Sequence, residues 1–230
     1  MLVGKPLIAV NHINGHIAAN YITHKNLKPP FLCLIISGGH TYLVNVKDYN
    51  KSEILGKTMD DAIGEAFDKV ARVIGLGYPG GPKVDNLAKE GYPNIDLPIT
   101  HFDNLDFSFS GIKTAVINLN HKDPYINKAD LCASFQNAVT NMLLNNVKKA
   151  FEIHKNIDKK LVLAGGVSRN SYVRSSFDNF SEKRKIKIYY PEAILCTDNA
   201  AMIASSGYFE YLNNNFSNFK LNAIPNLKIN

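Results

Sequence analysis

The chain alternates short apolar runs with longer amphipathic stretches. Pro6–Val10 (PLIAV) and Phe31–Ser37 (FLCLIIS) are continuous apolar runs of strand length, which predicts buried strands. Tyr42–Val46 continues as an alternating strand beyond Gly38-Gly39. Residues 31–46 therefore predict a β-hairpin with Ser37 and the two glycines at its tip. Between Met59 and Ile74, the residues Ile63, Phe67, Val70 and Ile74 share one stripe and predict an amphipathic helix. The helix runs into Gly75-Leu76-Gly77-Tyr78-Pro79-Gly80-Gly81-Pro82, a cluster that stops helices and bends backbone. Residues 93–128 look irregular apart from Ile112–Leu119, a strand or a short helix. Ala129 to about His154 carries the longest helical pattern, through Leu131, Phe135, Val139, Met142 and Val147. Lys160–Ala164 predicts a strand entering Gly165-Gly166, then a helix from about Asn170 and another strand at Ile186–Tyr190. Thr197 or Asp198 is placed to cap the apolar helix Ala200–Tyr211, and Asn213–Asn218 reads as a surface loop. The order is that of an α/β protein with a mixed sheet.

Composition narrows the class. With 230 residues, 20% charged and 45% hydrophobic, the chain is globular and long enough for one large domain or two small ones. No apolar run reaches membrane-spanning length, and no signal-peptide pattern opens the sequence. Cys33, Cys132 and Cys196 are odd in number and widely spaced, which fits a reducing cytoplasm better than a disulfide framework. The net charge of +6 favours an anionic partner such as nucleic acid or a nucleotide.

Candidate chemistry begins at His12-Ile13-Asn14-Gly15-His16. Two histidines four apart on a helix share one face and can grip a transition metal. A solvated helix start accounts for the same pair. Ile13 stands where a zinc hydrolase would carry its general-base Glu. Ser37-Gly38-Gly39-His40-Thr41 and Gly165-Gly166-Val167-Ser168-Arg169-Asn170 each follow an apolar strand. Glycines there let backbone N–H groups approach an anion, and a helix start after the second adds a positive dipole end. Two such turns make a nucleotide site between two lobes a better reading than either alone, although each is also an ordinary tight connection. Asp61, Glu65 and Asp68 fall on one helix face and repel each other, which a metal, a ribose hydroxyl or a basic partner would justify and a solvated face would equally permit. Phe107-Ser108-Phe109-Ser110-Gly111-Ile112-Lys113 suits either packing or substrate contact. Lys183, Arg184, Lys185 and Lys187 form a basic cluster, readable as a solvated turn or as a contact for RNA phosphates.

The strings HINGH, IISGGHTYL, DDAIGEAFDKVARVIGLGYPGGP, FSFSGIKT, LAGGVSRN and CTDNAAMIA, in this order, resemble the tRNA threonylcarbamoyladenosine transferase (TsaD) family, formerly called Gcp or O-sialoglycoprotein endopeptidase. The resemblance runs from about Gly4 to the end. It implies an actin-like, Hsp70-like (ASKHA) fold of two lobes around a nucleotide cleft. Roughly residues 1–25 and 195–230 would belong to the first lobe and 26–194 to the second. It implies transfer of a threonylcarbamoyl group from threonylcarbamoyl-AMP to the amino group of the adenosine beside the tRNA anticodon. By motif matching, His12, His16 and Asp198 are the metal ligands, for iron(II) first, with zinc or magnesium as alternatives. Ile35, Ile36, Ser37, Gly38 and Gly39 would bind substrate at the hairpin. Asp68, Gly81 and Asp85 would serve the ribose side, and Asn170 the second Gly-Gly junction. ATP- or ADP-type nucleotides, tRNA and TsaB-like and TsaE-like proteins are the implied partners.

One departure stands out. Family members open with a strand–turn string such as GIETSCDET and much of the first lobe, where this sequence has Met1-Leu2-Val3. The expectation is a C-terminal portion of the enzyme, with exposed sheet edge and apolar surface that favour poor solubility or dimerisation. A non-catalytic remnant that still binds metal or nucleotide is the alternative to an active transferase. The old peptidase name finds no general base beside the histidines.

Overall fold

A computed structural model describes residues 4–225, 227 and 229. Met1–Val3 and part of the C-terminal PNLKIN string lie outside the described residues. Five strands form one mixed sheet in the order β3-β2-β1-β4-β5. The central strand β1 (Phe31–Ile36) is buried at every position, which is why it reads as a continuous apolar run rather than an alternating one. It pairs antiparallel with β2 (Thr41–Asp48) and parallel with β4 (Lys160–Ala164). Beyond β2 lies the antiparallel edge strand β3 (Lys51–Lys57), and beyond β4 the short parallel β5 (Lys187–Tyr189).

Period-2 geometry splits β1 between two cores. Leu32, Leu34 and Ile36 face a cluster built with α2 (Ile63–Val73), α3 (Gly80–Ala88), α4 (Ser110–Lys122) and the long α5 (Lys128–Ile153). Phe67 and Phe135 meet edge to face there at 5.0 Å. Phe31, Cys33 and Ile35 face the other side, where Ile13, Ile17 and Tyr21 of α1 (His12–Thr23) cover the sheet. α1 in turn packs along α7 (Ala200–Leu212), and α6 (Ser171–Arg184) flanks β5. The sheet is thus covered on both faces, as a parallel crossover from β1 to β4 requires.

Several sequence expectations are corrected. Pro6–Val10 is not a strand; only Leu7 bridges to Ser217, and no further partner pairs with it among the described residues. The helix expected from Met59 begins at Ile63, because Thr58 to Ala62 form a turn in which the Thr58 hydroxyl donates to the Asp61 carbonyl at 2.6 Å. The glycine–proline cluster does not merely end a helix. It starts α3 at Gly80, whose N–H donates to Asp68 Oδ1 at 2.7 Å. Residues 112–119 are helical within α4, and β3 went unread because only Ile54, Leu55 and Gly56 interrupt its polar edge pattern. The cap of α7 is Asn199, which accepts from the Met202 N–H at 2.8 Å, and neither Thr197 nor Asp198 serves it.

Candidate functional site

α1 begins the site. Asn11 caps it by accepting from the Ile13 N–H at 2.9 Å, and the helical repeat then sets His12 and His16 on one face with ring centroids 4.9 Å apart. The packing of α1 on α7 brings in Asp198. Its Oδ1 lies 3.4 Å from His12 Nε2 and 3.2 Å from His16 Nε2. Because Asn199 takes over the capping, the Asp198 carboxylate is left to face the histidines. One ligand atom from each of the three residues falls within 4.8 Å of the others.

Burial is uneven across this triad. The His16 side chain is 2% exposed, against 45% for His12 and 74% for Asp198. Both ring nitrogens of His16 are buried without a hydrogen-bond partner among the described residues. Asp198 is near enough to His16 Nε2 for an ion pair, but it lies off the direction a hydrogen bond needs. Burial, then the neighbouring His12, pushes the His16 pKa below the ordinary histidine value, with Asp198 pulling the other way. The ring is therefore neutral near pH 7, the form that ligates a metal. A buried imidazole with two idle nitrogens is costly, and a divalent ion held there would satisfy one of them. Two imidazoles and a carboxylate suit iron(II) or zinc better than magnesium. The open side at Asp198 leaves positions for a further ligand.

A cleft of about 340 Å³ adjoins the triad. Five residues expected at a substrate site line it together: Gly38, Asp68, Gly81, Asp85 and Asn170. Ile35 and Ile36 are wholly buried in β1 and present no side chain to it, while Ser37 and Gly39 lie beside it, outside its lining. Thr197 lines the cleft next to Asp198. On the other side, Gly38 lines it two residues before His40, whose ring stacks on Tyr42 and sits 6.3 Å from that of His12.

The glycines fall into two groups. A Cβ on Gly64 would lie 2.6 Å from the Ser37 carbonyl oxygen, and Gly165, at φ +88°, would set one 2.5 Å from the Ile36 oxygen. Those two are required by close backbone packing and, at 165, by the left-handed conformation. Gly38, Gly39 and Gly81 are different. None has a positive φ, and a Cβ at any of them would meet nothing within 4 Å. The chain's own packing gives no reason for glycine there, and Gly38 and Gly81 line the cleft, whose space a Cβ would take up. The backbone N–H groups of Gly38 and Gly39 also make no hydrogen bond among the described residues.

Other expectations resolve as structure rather than chemistry. Asp61, Glu65 and Asp68 form no acidic metal cluster. Lys69 bridges Asp61 and Glu65 at 2.7 and 2.8 Å, Lys113 reaches Asp61 at 2.7 Å, and Asp68 accepts from Gly80. In the FSFSG segment, Phe107 and Phe109 are core residues, and Ser108 Oγ and the Phe109 N–H both donate to Asp60. The start of α6 is largely taken up: Asn170 Oδ1 accepts from the Val173 N–H, and Asp85 accepts from both the N–H and the hydroxyl of Ser171. The basic cluster of Lys183, Arg184, Lys185 and Lys187 lies at the opposite end of α6, about 20 Å away by helical rise, with Arg184 over Phe180 and Lys187 over Tyr189. Sequence reading missed Gln136, which fixes Asn170 by accepting its Nδ2–H at 2.7 Å in a buried contact, and gave no role to Tyr78 or Arg169 of the cleft. Gln136 sits within a helical repeat and carries no local signal.

A sheet covered on both faces, with a glycine-lined cleft at the ends of β1 and β4 and a His–His–Asp set beside it, defines a protein of the actin-like, Hsp70-like (ASKHA) fold. Solved structures agree on the fold. Full-length HypF, in a phosphate- and nucleotide-bound form, superposes with a TM-score of 0.70 at 17% identity, over 89% of this chain and 43% of that one. Component A of the Acidaminococcus fermentans (R)-2-hydroxyglutaryl-CoA dehydratase gives 0.53 at 15% identity, over 89% and 69%. Residues 1–205 match the model of the TsaD family, tRNA N6-adenosine threonylcarbamoyltransferase, and the chain belongs to that family of transferases. The tRNA N6-adenosine threonylcarbamoyltransferases of Clostridium kluyveri and Clostridium novyi are 57% and 56% identical to it, over 99% and 98% of this chain and 68% of their own length. Among the described residues, no helix is long and apolar enough to cross a membrane.

Proposed function

We propose that the chain carries the metal and adenylate sites of a tRNA N6-adenosine threonylcarbamoyl transfer in the cytoplasm. The observation that carries this reading is the junction of two features, a His12–His16–Asp198 triad with an unsatisfied buried His16 and a cleft whose Gly38 and Gly81 face open space. In the transfer, the N6 amine of adenosine forms a bond to the carbamoyl carbon of threonylcarbamoyl-AMP. The bond from that carbon to the phosphate oxygen breaks, AMP leaves and the amine proton passes to solvent.

Each residue has a part in holding the adenylate. The free N–H groups of Gly38 and Gly39 face the phosphate, as donors aimed at developing charge do in acyl transfer. Asp68 has one oxygen on Gly80 and keeps the other for a ribose hydroxyl. Asp85 acts at one remove: both its oxygens hold Ser171 and so anchor the α6 start. His12, His16 and Asp198 would hold a divalent ion, iron(II) or zinc. When bound, such an ion supplies Lewis-acid polarisation of a carbonyl oxygen. TsaB-like and TsaE-like proteins and tRNA are the proposed partners.

The test is a reconstituted modification assay with these partners, threonylcarbamoyl-AMP and tRNA, with bound metal measured alongside. His16→Ala and Asp198→Ala should lose metal and turnover together. Full turnover in a metal-free double variant would overturn the assignment, and metal and nucleotide binding without turnover would favour a binding-only role.

A further inference from the structure

Three charged residues line the cleft: Asp68, Asp85 and Arg169. Both carboxylates are engaged with the protein, Asp68 through one oxygen and Asp85 through two. Asp68 holds the N–H of Gly80 at 2.7 Å, and Asp85 holds Ser171 through both oxygens at 2.9 and 3.0 Å. Arg169 is exposed and, among the described residues, makes no ion pair and no hydrogen bond through its side chain. Its neighbour in the same segment, Arg174, shows the contrast: its guanidinium donates to the Ser168 carbonyl at 2.6 Å and lies over Tyr190. At the α6 start, Asp85 and Asn170 already take up the N–H groups of Ser171 and Val173. The cation lining the cleft is therefore a single unpaired guanidinium, in the same cleft as Gly38 with its idle N–H.

We propose that Arg169 is the phosphate-binding side chain of the cleft and sets its preference for nucleotides over nucleosides. This rests on the reading of the cleft as an adenylate site. A guanidinium presents a fork of donors that fits two phosphate oxygens, which a lysine ammonium reproduces only as a point charge. Its contribution grows during transfer. The phosphate carries one negative charge in the mixed anhydride and gains another as the carbon–oxygen bond breaks and AMP departs. Arg169 thus binds the departing AMP more tightly than the adenylate, which favours cleavage.

Titration calorimetry on the full chain with AMP and with adenosine tests this, comparing wild type with Arg169→Ala, Arg169→Gln and Arg169→Lys. Loss of a charge-assisted bidentate contact should weaken AMP binding about tenfold or more in the Ala and Gln variants. Adenosine binding should stay unchanged, and Lys should restore part of the AMP affinity. The wild-type AMP affinity should fall with added salt, and the variants should lose most of that dependence. Equal weakening of AMP and adenosine would show a merely structural role and overturn the proposal. So would AMP binding in Arg169→Ala that matches wild type. If wild type binds AMP and adenosine equally, the proposal fails while the adenylate cleft stands. If wild type binds neither, the adenylate reading itself fails and takes the role of Arg169 with it.

Discussion

Alanine at Gly64 and at Gly38 should produce opposite phenotypes, although the two glycines touch. At Gly64, the first turn of α2 abuts the hairpin tip. An added Cβ would meet the Ser37 oxygen at 2.6 Å, the Gly38 Cα at 2.8 Å and the Gly38 nitrogen at 2.9 Å. All three atoms are backbone, so no side chain can swing away. The hairpin is also tied at this point, by Gly64 N–H to the Ser37 carbonyl at 3.1 Å and by Ile63 N–H to Thr41 Oγ1 at 2.9 Å. Overpacking of this kind costs about 1–3 kcal/mol, and the better helix propensity of alanine returns about 0.5–1 kcal/mol. The expected net loss is centred on about 1 kcal/mol and reaches about 2.5 kcal/mol at most. With a urea slope of about 2 kcal/mol per molar, the central value lowers the unfolding midpoint by roughly 0.5 M. At Gly38, nothing lies within 4 Å of the added methyl and φ is not positive. Alanine there should leave the midpoint unchanged or raise it slightly through a less flexible unfolded chain, by about 0.4–1 kcal/mol at most. The same methyl enters the cleft, however, and should weaken AMP binding about tenfold. Urea denaturation followed by circular dichroism, paired with AMP titration of both variants, reads out the contrast. Equal destabilisation by the two substitutions would refute the packing argument, and wild-type AMP affinity in Gly38→Ala would refute the ligand argument.

Three further outcomes follow from the same geometry. Asp61 is 14% exposed between Lys69 and Lys113. Burial alone would raise its pKa, but hydrogen bonds from Lys113 and Lys69 and their charges outweigh this and hold it below the ordinary value. Its contribution is then complete above the unfolded carboxylate value of about 4 and fades as pH falls through the lower folded one. Asp61→Asn should cost about 1–2 kcal/mol at pH 7, between surface and fully buried pairs. The gap from wild type should narrow in urea titrations as pH falls below about 4, and a pH-independent gap would refute the ion-pair account. Phe135→Ala should lose about 3–5 kcal/mol, since the ring is wholly buried against Phe67; a loss below about 1 kcal/mol would mean that the α5–sheet core is not packed as described. His16→Leu should leave metal-free stability equal or higher, because it removes two unsatisfied buried nitrogens. Zinc or iron(II) should raise the Tm of the wild type but not that of the variant, and an equal rise in both would exclude His16 as a ligand.

How much of this was legible without coordinates depends on how local each signal is. The apolar run 31–36 and the helical repeat of Leu131, Phe135, Val139 and Met142 announce β1 and α5, because burial on both faces or along one stripe is written into neighbouring residues. The His12–His16 pair declares itself through the helical repeat, and the ordered strings carry the family. The start of α3 inside a glycine–proline cluster is different, because it depends on Asp68, twelve positions earlier, accepting from Gly80. The polar edge strand β3 is likewise fixed by pairing with β2 and not by its own pattern.

The sequence by itself determined the α/β class, the family and the helical pairing of His12 with His16, since periodicity and motif order survive in one dimension. Only the tertiary structure decided which charges remain uncommitted. Asp198 is left to the histidines because Asn199 caps α7, whereas Asp61 and Asp85 are held by Lys69, Lys113 and Ser171. It also decided which glycines serve packing and which leave room for a ligand. Those distinctions rest on contacts between residues far apart in the chain, and a charge or a missing Cβ has chemical meaning only once its neighbours are known.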